Sequence, residues 1–137
     1  MRLAEIAHDV GRKAGLKYSV LDPDAMEALG MGAILAVGGG SANPPRLISL
    51  EYAPIRARKT VALVGKGVCF DSGGINIKTA SLEWMKSDMA GGAAVIATMK
   101  ALPALRLPVR VIGVVAAVEN MLSGRAAKPG DIVRAMN

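Results

Sequence analysis

Two apolar runs with one predicted helix between them constrain this chain more than any other feature. Thr60-Val-Ala-Leu-Val-Gly65 is continuous and apolar, and Arg110 to Val118 is nearly so, so neither has a polar face to offer to water. Each reads as a buried strand, and the first predicts a central strand covered on both sides. Between them the spacing predicts a helix over about 89–102, bounded by Pro103. Strand, crossover helix and strand form the repeating unit of a parallel α/β sheet. Upstream, Leu3, Ile6, Ala7, Val10 and Ala14 recur at helical spacing, with Gly15 where a C-terminal cap belongs. Tyr18 to Leu21 reads as a short strand, and Asp22-Pro23 caps a helix that runs through Leu29 and ends at Gly30. Ala33 to Val37, a Gly38-Gly39-Gly40-Ser41 loop and a second strand over Arg46 to Glu51 follow, while Lys66 to Ser87 is the least regular stretch. The expected fold is three-layer α/β, a mostly parallel or mixed central sheet flanked by helices. Ile132-Val133 reads as the start of a further strand, so the sheet is expected to be incomplete at the C-terminus.

Composition closes several functional classes. One His (His8) cannot supply the pair of a zinc-binding helix, and one Cys (Cys69) can build neither a cysteine zinc site nor an internal disulfide. A serine triad would have to recruit His8, with no Gly-x-Ser-x-Gly elbow downstream. The net charge of +6 comes from basic residues scattered between Arg2 and Arg134, and only Arg56-Ala57-Arg58-Lys59 clusters. With Phe70, Trp84, Tyr18 and Tyr52 as the sole aromatics, there is little on which to stack bases, which argues against a nucleic-acid partner. The cluster reads instead as a surface loop before a buried strand. No segment approaches the roughly 20 apolar residues of a membrane span, and the first residues lack the apolar core of a signal peptide. A cytoplasmic location and no membrane partner are the expectations.

The ends of parallel strands are where open α/β sheets bind ligands, which directs attention to Gly65-Lys-Gly-Val-Cys-Phe-Asp-Ser-Gly-Gly74. It places Lys66 between two glycines and Asp71 before Ser-Gly-Gly, with Lys78 and Asp88 further on. A phosphate loop is excluded, because the earlier glycine and the Ser or Thr after the lysine are missing. Two readings remain open on the residues alone. In one, this is a glycine-rich loop whose Lys and Asp side chains pair at the surface. In the other, Asp71 and Asp88 hold a divalent cation with an amine ligand from Lys66. A lysine of ordinary basicity gives up its proton at pH 7 at a cost of roughly 4–5 kcal/mol, so such a ligand requires burial and the metal together.

Three separated segments then identify a likeness. Val64 to Lys78, Met85-Lys-Ser-Asp-Met-Ala-Gly-Gly-Ala-Ala94 and Glu119-Asn-Met-Leu-Ser-Gly-Arg-Ala-Ala-Lys-Pro-Gly-Asp131 strongly resemble the catalytic domain of the leucyl (cytosol) aminopeptidase family. Gly30 to Arg46 resembles the segment preceding its active-site strand. The resemblance implies a two-metal exopeptidase that releases N-terminal residues, preferably leucine, from peptides. It implies Lys66, Asp71 and Asp88 as metal ligands, Asp71 bridging both ions, and Lys78 as the catalytic lysine that polarises the scissile carbonyl. The ions implied are two of Mn²⁺ or Zn²⁺, with Mg²⁺ a further option, and the family's assembly implies a homohexamer. Glu119, Asn120, Ser123, Arg125 and Asp131 fall in a motif read as structural, Arg125 included.

The departures bear on activity. The family's Asn-Thr-Asp-Ala-Glu-Gly-Arg, which supplies two more carboxylates and the arginine of a bicarbonate site, is absent from these 137 residues. The expectation is therefore a partial catalytic domain over 1–137, without the family's N-terminal domain and the C-terminal part of its catalytic domain, weak in metal binding and in hydrolysis by itself. Thr79 stands where proline is usual, and the Lys78-to-Asp88 interval is one residue short. The competing expectation is a non-catalytic glycine-rich α/β module that binds an anion or a partner through its basic residues, chiefly Arg56 to Lys59.

Overall fold

A computed structural model describes residues 2–136. Helix α1 (Arg2–Ala14) leads into strand β1 (Lys17–Leu21), then α2 (Pro23–Ala28) and α3 (Gly32–Gly38) precede β2 (Arg46–Tyr52). Strand β3 (Thr60–Asp71), a 3-10 helix (Leu82–Ser87), α4 (Ala90–Leu105) and β4 (Arg110–Asn120) complete the described elements. The early boundaries follow the local chemistry that predicted them. Gly15 and Gly30 take left-handed φ values of 65° and 70°, and the Asp22 carboxylate accepts the Ala25 N–H at 3.0 Å to cap α2.

The four strands lie in the order β1-β2-β4-β3. β1 and β2 are antiparallel, as are β2 and β4, and β3 runs parallel to β4. The sheet is mixed, with the strand-helix-strand unit as its one parallel pair, and helices cover both faces. Gly113 and Val115 of β4 meet Met99 and Gly92 of α4, while Ala116 and Val118 face Ala33, Ile34 and Val37 of α3. The main core lies on the α1/α4 side, where Leu3, Ala7, Ile48, Leu50, Ile96, Met99 and Val115 are buried together. Each buried Leu, Ile, Met or Val side chain contributes about 1.5–3 kcal/mol, and Ala7 less.

Four expectations need correction. The Thr60–Gly65 run is not central: β3 is an edge strand, β4 is interior, and Val64 is 79% exposed. Only the odd-numbered face of β3 packs on α4; the even-numbered face carries apolar side chains without an equivalent cover. The same strand continues to Asp71, so Lys66–Asp71 is regular where an irregular stretch was expected. Pro103 lies within α4 instead of ending it. A proline forfeits one donor, and burial of Ile96, Met99 and Leu102 holds the helix through that loss until Arg106 turns left-handed, φ 49°. Finally, Ile132-Val133 forms no strand, since residues 121–136 are irregular and Gly32 N–H donates to Arg134 O at 3.0 Å. The Arg56–Lys59 cluster does occupy an exposed loop ahead of β3.

The contact that draws α4 onto β3 is made by glycines. A Cβ at Gly65 would stand 2.7 Å from both Gly91 O and Gly92 Cα, and one at Gly92 would stand 2.7 Å from Val115 Cγ1. Gly65→Ala is therefore expected to cost about 1–3 kcal/mol by urea denaturation, whereas Gly124→Ala, where a Cβ meets nothing within 4 Å, stays near wild type.

Candidate functional site

The site is assembled at the C-terminal end of the parallel pair. Because Gly65, Gly91 and Gly92 let backbone meet backbone, the start of α4 abuts β3 beside Lys66; even a Cβ on Gly91 would lie 3.4 Å from Lys66 N. Asp88 immediately precedes that helix start, its N–H bonded to Met85 O at 3.2 Å. The result is an ion pair, Lys66 Nζ to Asp88 Oδ2 at 2.9 Å, with the Asp88 side chain largely buried and the lysine more than half exposed. The approach is not aligned as a hydrogen bond, and Asp88 Oδ2 is a buried oxygen with no hydrogen-bond donor.

Asp71, the last residue of β3, anchors a second pair. Its Oδ2 meets Lys78 Nζ, while its Oδ1 accepts the Gly73 N–H at 3.0 Å and the Asn120 side-chain amide at 2.8 Å. Burial alone would push this carboxyl up, but the Lys78 ammonium and the Gly73 and Asn120 donors outweigh it and hold the group below its ordinary range. Gly73 and Gly74, at φ 91° and 65°, turn the chain back so that Lys78 N–H bonds Ser72 O at 2.8 Å. A β-bulge in β3 between Val68 and Phe70 governs the register here: Val68 pairs with Val118, yet Phe70 pairs with Glu119 and Asp71 with Asn120. Cys69, the extra residue, has its thiol pushed up by burial and then by the nearby Glu119 charge, so it is a poor nucleophile at neutral pH.

The four residues singled out from sequence thus form two adjacent pairs along one strand, Lys66 with Asp88 and Lys78 with Asp71. No hydrogen bond or ion pair joins the two pairs among the described residues, and no three His, Cys, Asp or Glu side chains cluster there. His8 lies away from it, edge-on to Tyr18 with ring centroids 5.2 Å apart. The donor set suits a divalent cation in kind: Asp71 ends β3, Asp88 pairs with Lys66 of the same strand, and the buried Asp88 Oδ2 has an ion-pair partner without an aligned hydrogen bond. It is sparse in number. The Glu119–Asp131 segment supports this edge. Glu119 accepts Ser41 Oγ–H at 2.7 Å and the Asn43 side-chain amide at 3.0 Å, tying the loop after α3 to β4. Ser123 Oγ accepts the Arg125 N–H and Asp131 the Lys128 N–H, both local turns. The roles of Ser41 and Asn43 carry no signal in the sequence, because their partner lies 78 and 76 residues away.

Comparison with known proteins gives a consistent picture. The sequence profile of the cytosol aminopeptidase family, catalytic domain, matches residues 1–137. A "Probable cytosol aminopeptidase" of Persephonella marina is 47% identical over 137 residues, covering 99% of this chain and 28% of that protein. One of Chlorobaculum tepidum is 50% identical, covering 98% and 27% respectively. Among solved structures, the bottromycin maturation enzyme BotP in complex with Mn superimposes with a TM-score of 0.90 at 44% identity, covering 96% of this chain and 29% of its own. This chain thus spans little more than a quarter of the length of the relatives it matches.

The Asp71 environment sets a pH dependence. A carboxyl held below its ordinary value of 3.8 in the fold stabilises the protein above that value, and the contribution disappears as pH falls through the lower folded value. Urea midpoints measured from pH 6 downward should fall more steeply for wild type than for Asp71→Asn, with the two curves converging at the acid end.

Proposed function

This chain belongs to the cytosol aminopeptidase family, and we propose that it carries the lysine-aspartate half of a metal-dependent aminopeptidase site acting on the N-terminal residue of peptides. The observation that carries the reading is the buried, hydrogen-bond-free Asp88 Oδ2 set against the Lys66 amine, one strand segment from the Asp71–Lys78 pair. Lys66, Asp71 and Asp88 would hold the metal, as two divalent ions, Mn²⁺ or Zn²⁺ with Mg²⁺ a third option. When bound, such ions lower the pKa of a coordinated water and withdraw charge from a carbonyl oxygen.

The remaining chemistry belongs to the chain's own side chains. Lys78, held by the Asp71 carboxylate, directs its N–H bonds toward the oxygen of the scissile carbonyl, where negative charge develops. Asp71 orients that ammonium and gives a carboxylate that stays ionised at neutral pH. Asp88, just before α4, supplies a second carboxylate beside Lys66, an anion suited to the substrate's free amino group. Lys66, paired with Asp88 at 2.9 Å, would have to exchange that carboxylate for the cation to serve as a ligand. Leucine preference, a homohexameric assembly and a cytoplasmic location are proposed for the whole protein on family grounds.

A dinuclear site needs more oxygen donors than two carboxylates provide, since hard cations take six or more ligands or retain water in their place. Calorimetric titration of the 137-residue chain with Mn²⁺ should therefore show weak binding that falls by about tenfold or more in Asp71→Asn and in Asp88→Asn. Release of leucine from a leucyl anilide should remain near background, and robust metal-dependent turnover by this chain alone would overturn the statement that its donor set is insufficient.

A further inference from the structure

Asn120 ends β4 directly beside Asp71, and three contacts show that its placement is specific. Its side-chain amide donates to Asp71 Oδ1 at 2.8 Å. Its backbone carbonyl accepts both the Ser72 N–H at 2.9 Å and the Ser72 Oγ–H at 2.8 Å. On the far side of the amide, a Cβ at Gly74 would come within 2.7 Å of Asn120 Oδ1, so the side chain is wedged between the carboxylate and the turn. The orientation of the amide is set by chemistry, because only its NH₂ end can serve an ionised carboxylate.

We propose that Asn120 is a positioning residue that fixes the orientation of the Asp71 carboxylate and, through it, the affinity of the site for a divalent cation; the second half rests on the metal-dependent reading above. The two oxygens of Asp71 are treated differently. Oδ2 is held by Lys78, a long side chain with rotatable bonds, and so can be released to a cation. Oδ1 is held by the Gly73 backbone and by Asn120, neither of which has room to follow it. A cation that takes Oδ2 therefore meets a carboxylate whose plane is already set, without the rotamer entropy of ordering it on binding. Asparagine suits the role because it donates without carrying a charge that would repel the metal. The bulge at Cys69 is part of the device. Were Cys69 paired in regular register instead of bulged out, the offset of Val68 and Val118 would continue, and Asp71 would fall opposite Met121 instead of Asn120.

The test separates a positioning role from a merely structural one. Asn120→Leu removes the donor at similar volume, Asn120→Asp replaces it with an acceptor of the same shape, and Ser72→Ala loosens the same turn while leaving every donor to Asp71 in place. Three-bond couplings across Asp71 χ1, measured by NMR on the metal-free chain, should report one rotamer in wild type and in Ser72→Ala, and averaged rotamers in both Asn120 variants. In Mn²⁺ titrations the Kd of Asn120→Leu should rise about 10- to 100-fold while that of Ser72→Ala stays within about twofold. A single Asp71 rotamer retained in both Asn120 variants would overturn the proposal, as would an equal loss of Mn²⁺ affinity in Ser72→Ala. If wild type takes up no Mn²⁺, the metal reading fails, and with it the affinity half of the proposal, while the couplings still decide whether Asn120 holds Asp71.

Discussion

The contact between β3 and the start of α4 is the constraint on which the site depends. Gly65, Gly91 and Gly92 meet there, and the absence of side chains on Gly65 and Gly92 brings a helix backbone against a strand backbone at a distance that a Cβ on either would prevent. This proximity places Asp88 within 2.9 Å of Lys66, and it gives the two residues different environments, one largely buried and one open to solvent. Separating helix and strand by one methyl group would draw the carboxylate away from the amine before any change in the charged residues themselves. The glycines around Lys66 are thus functional through what they omit, and the helix contributes by where it begins.

A second local irregularity acts on the other pair. Parallel strands place same-face neighbours side by side, so a single inserted residue in one of them changes which side chains meet for the rest of the pairing. In β3 that insertion comes two residues before Asp71. It brings the carboxylate opposite an amide donor at the end of β4, while the two left-handed glycines after Ser72 return Lys78 to the same oxygen pair. Bulge, turn and strand end together hold one acidic group with three donors, two of them on short or backbone tethers.

Much of this was readable from the residues, and the exceptions share a cause. Helix ends and caps in the first thirty residues are local events, and Gly15, Asp22 and Gly30 behave as their chemistry dictates. Lys66, Asp71, Lys78 and Asp88 were identified from the likeness of their flanking sequences, and the fold places them along one strand edge in two ion pairs. The position of β3 was misread because an apolar run reports only that water is disfavoured, not which neighbour excludes it: the odd-numbered face is covered by α4 and the even-numbered one is not. The passage of α4 through Pro103 was missed because a proline's local cost is visible in sequence while the burial of Met99 and Leu102 is not. Ser41, Asn43 and the Asn120 amide escaped notice as specific partners for the same reason, since their partners lie on other strands and loops and a one-residue bulge sets one of the pairings.

The edge position of β3 carries a consequence for the chain in solution. The strand that bears both lysine-ligand and bridging-carboxylate candidates also exposes an unpaired row of backbone donors and acceptors beside Val61 and Val64, the template that extended segments of other molecules recognise. Lys66 lies on this strand and Lys59 just ahead of it, and the molecule as a whole carries a charge of +6, so like-charge repulsion opposes self-pairing there. Because salt shortens the reach of that repulsion, ionic strength governs how long the bare strand stays unpaired.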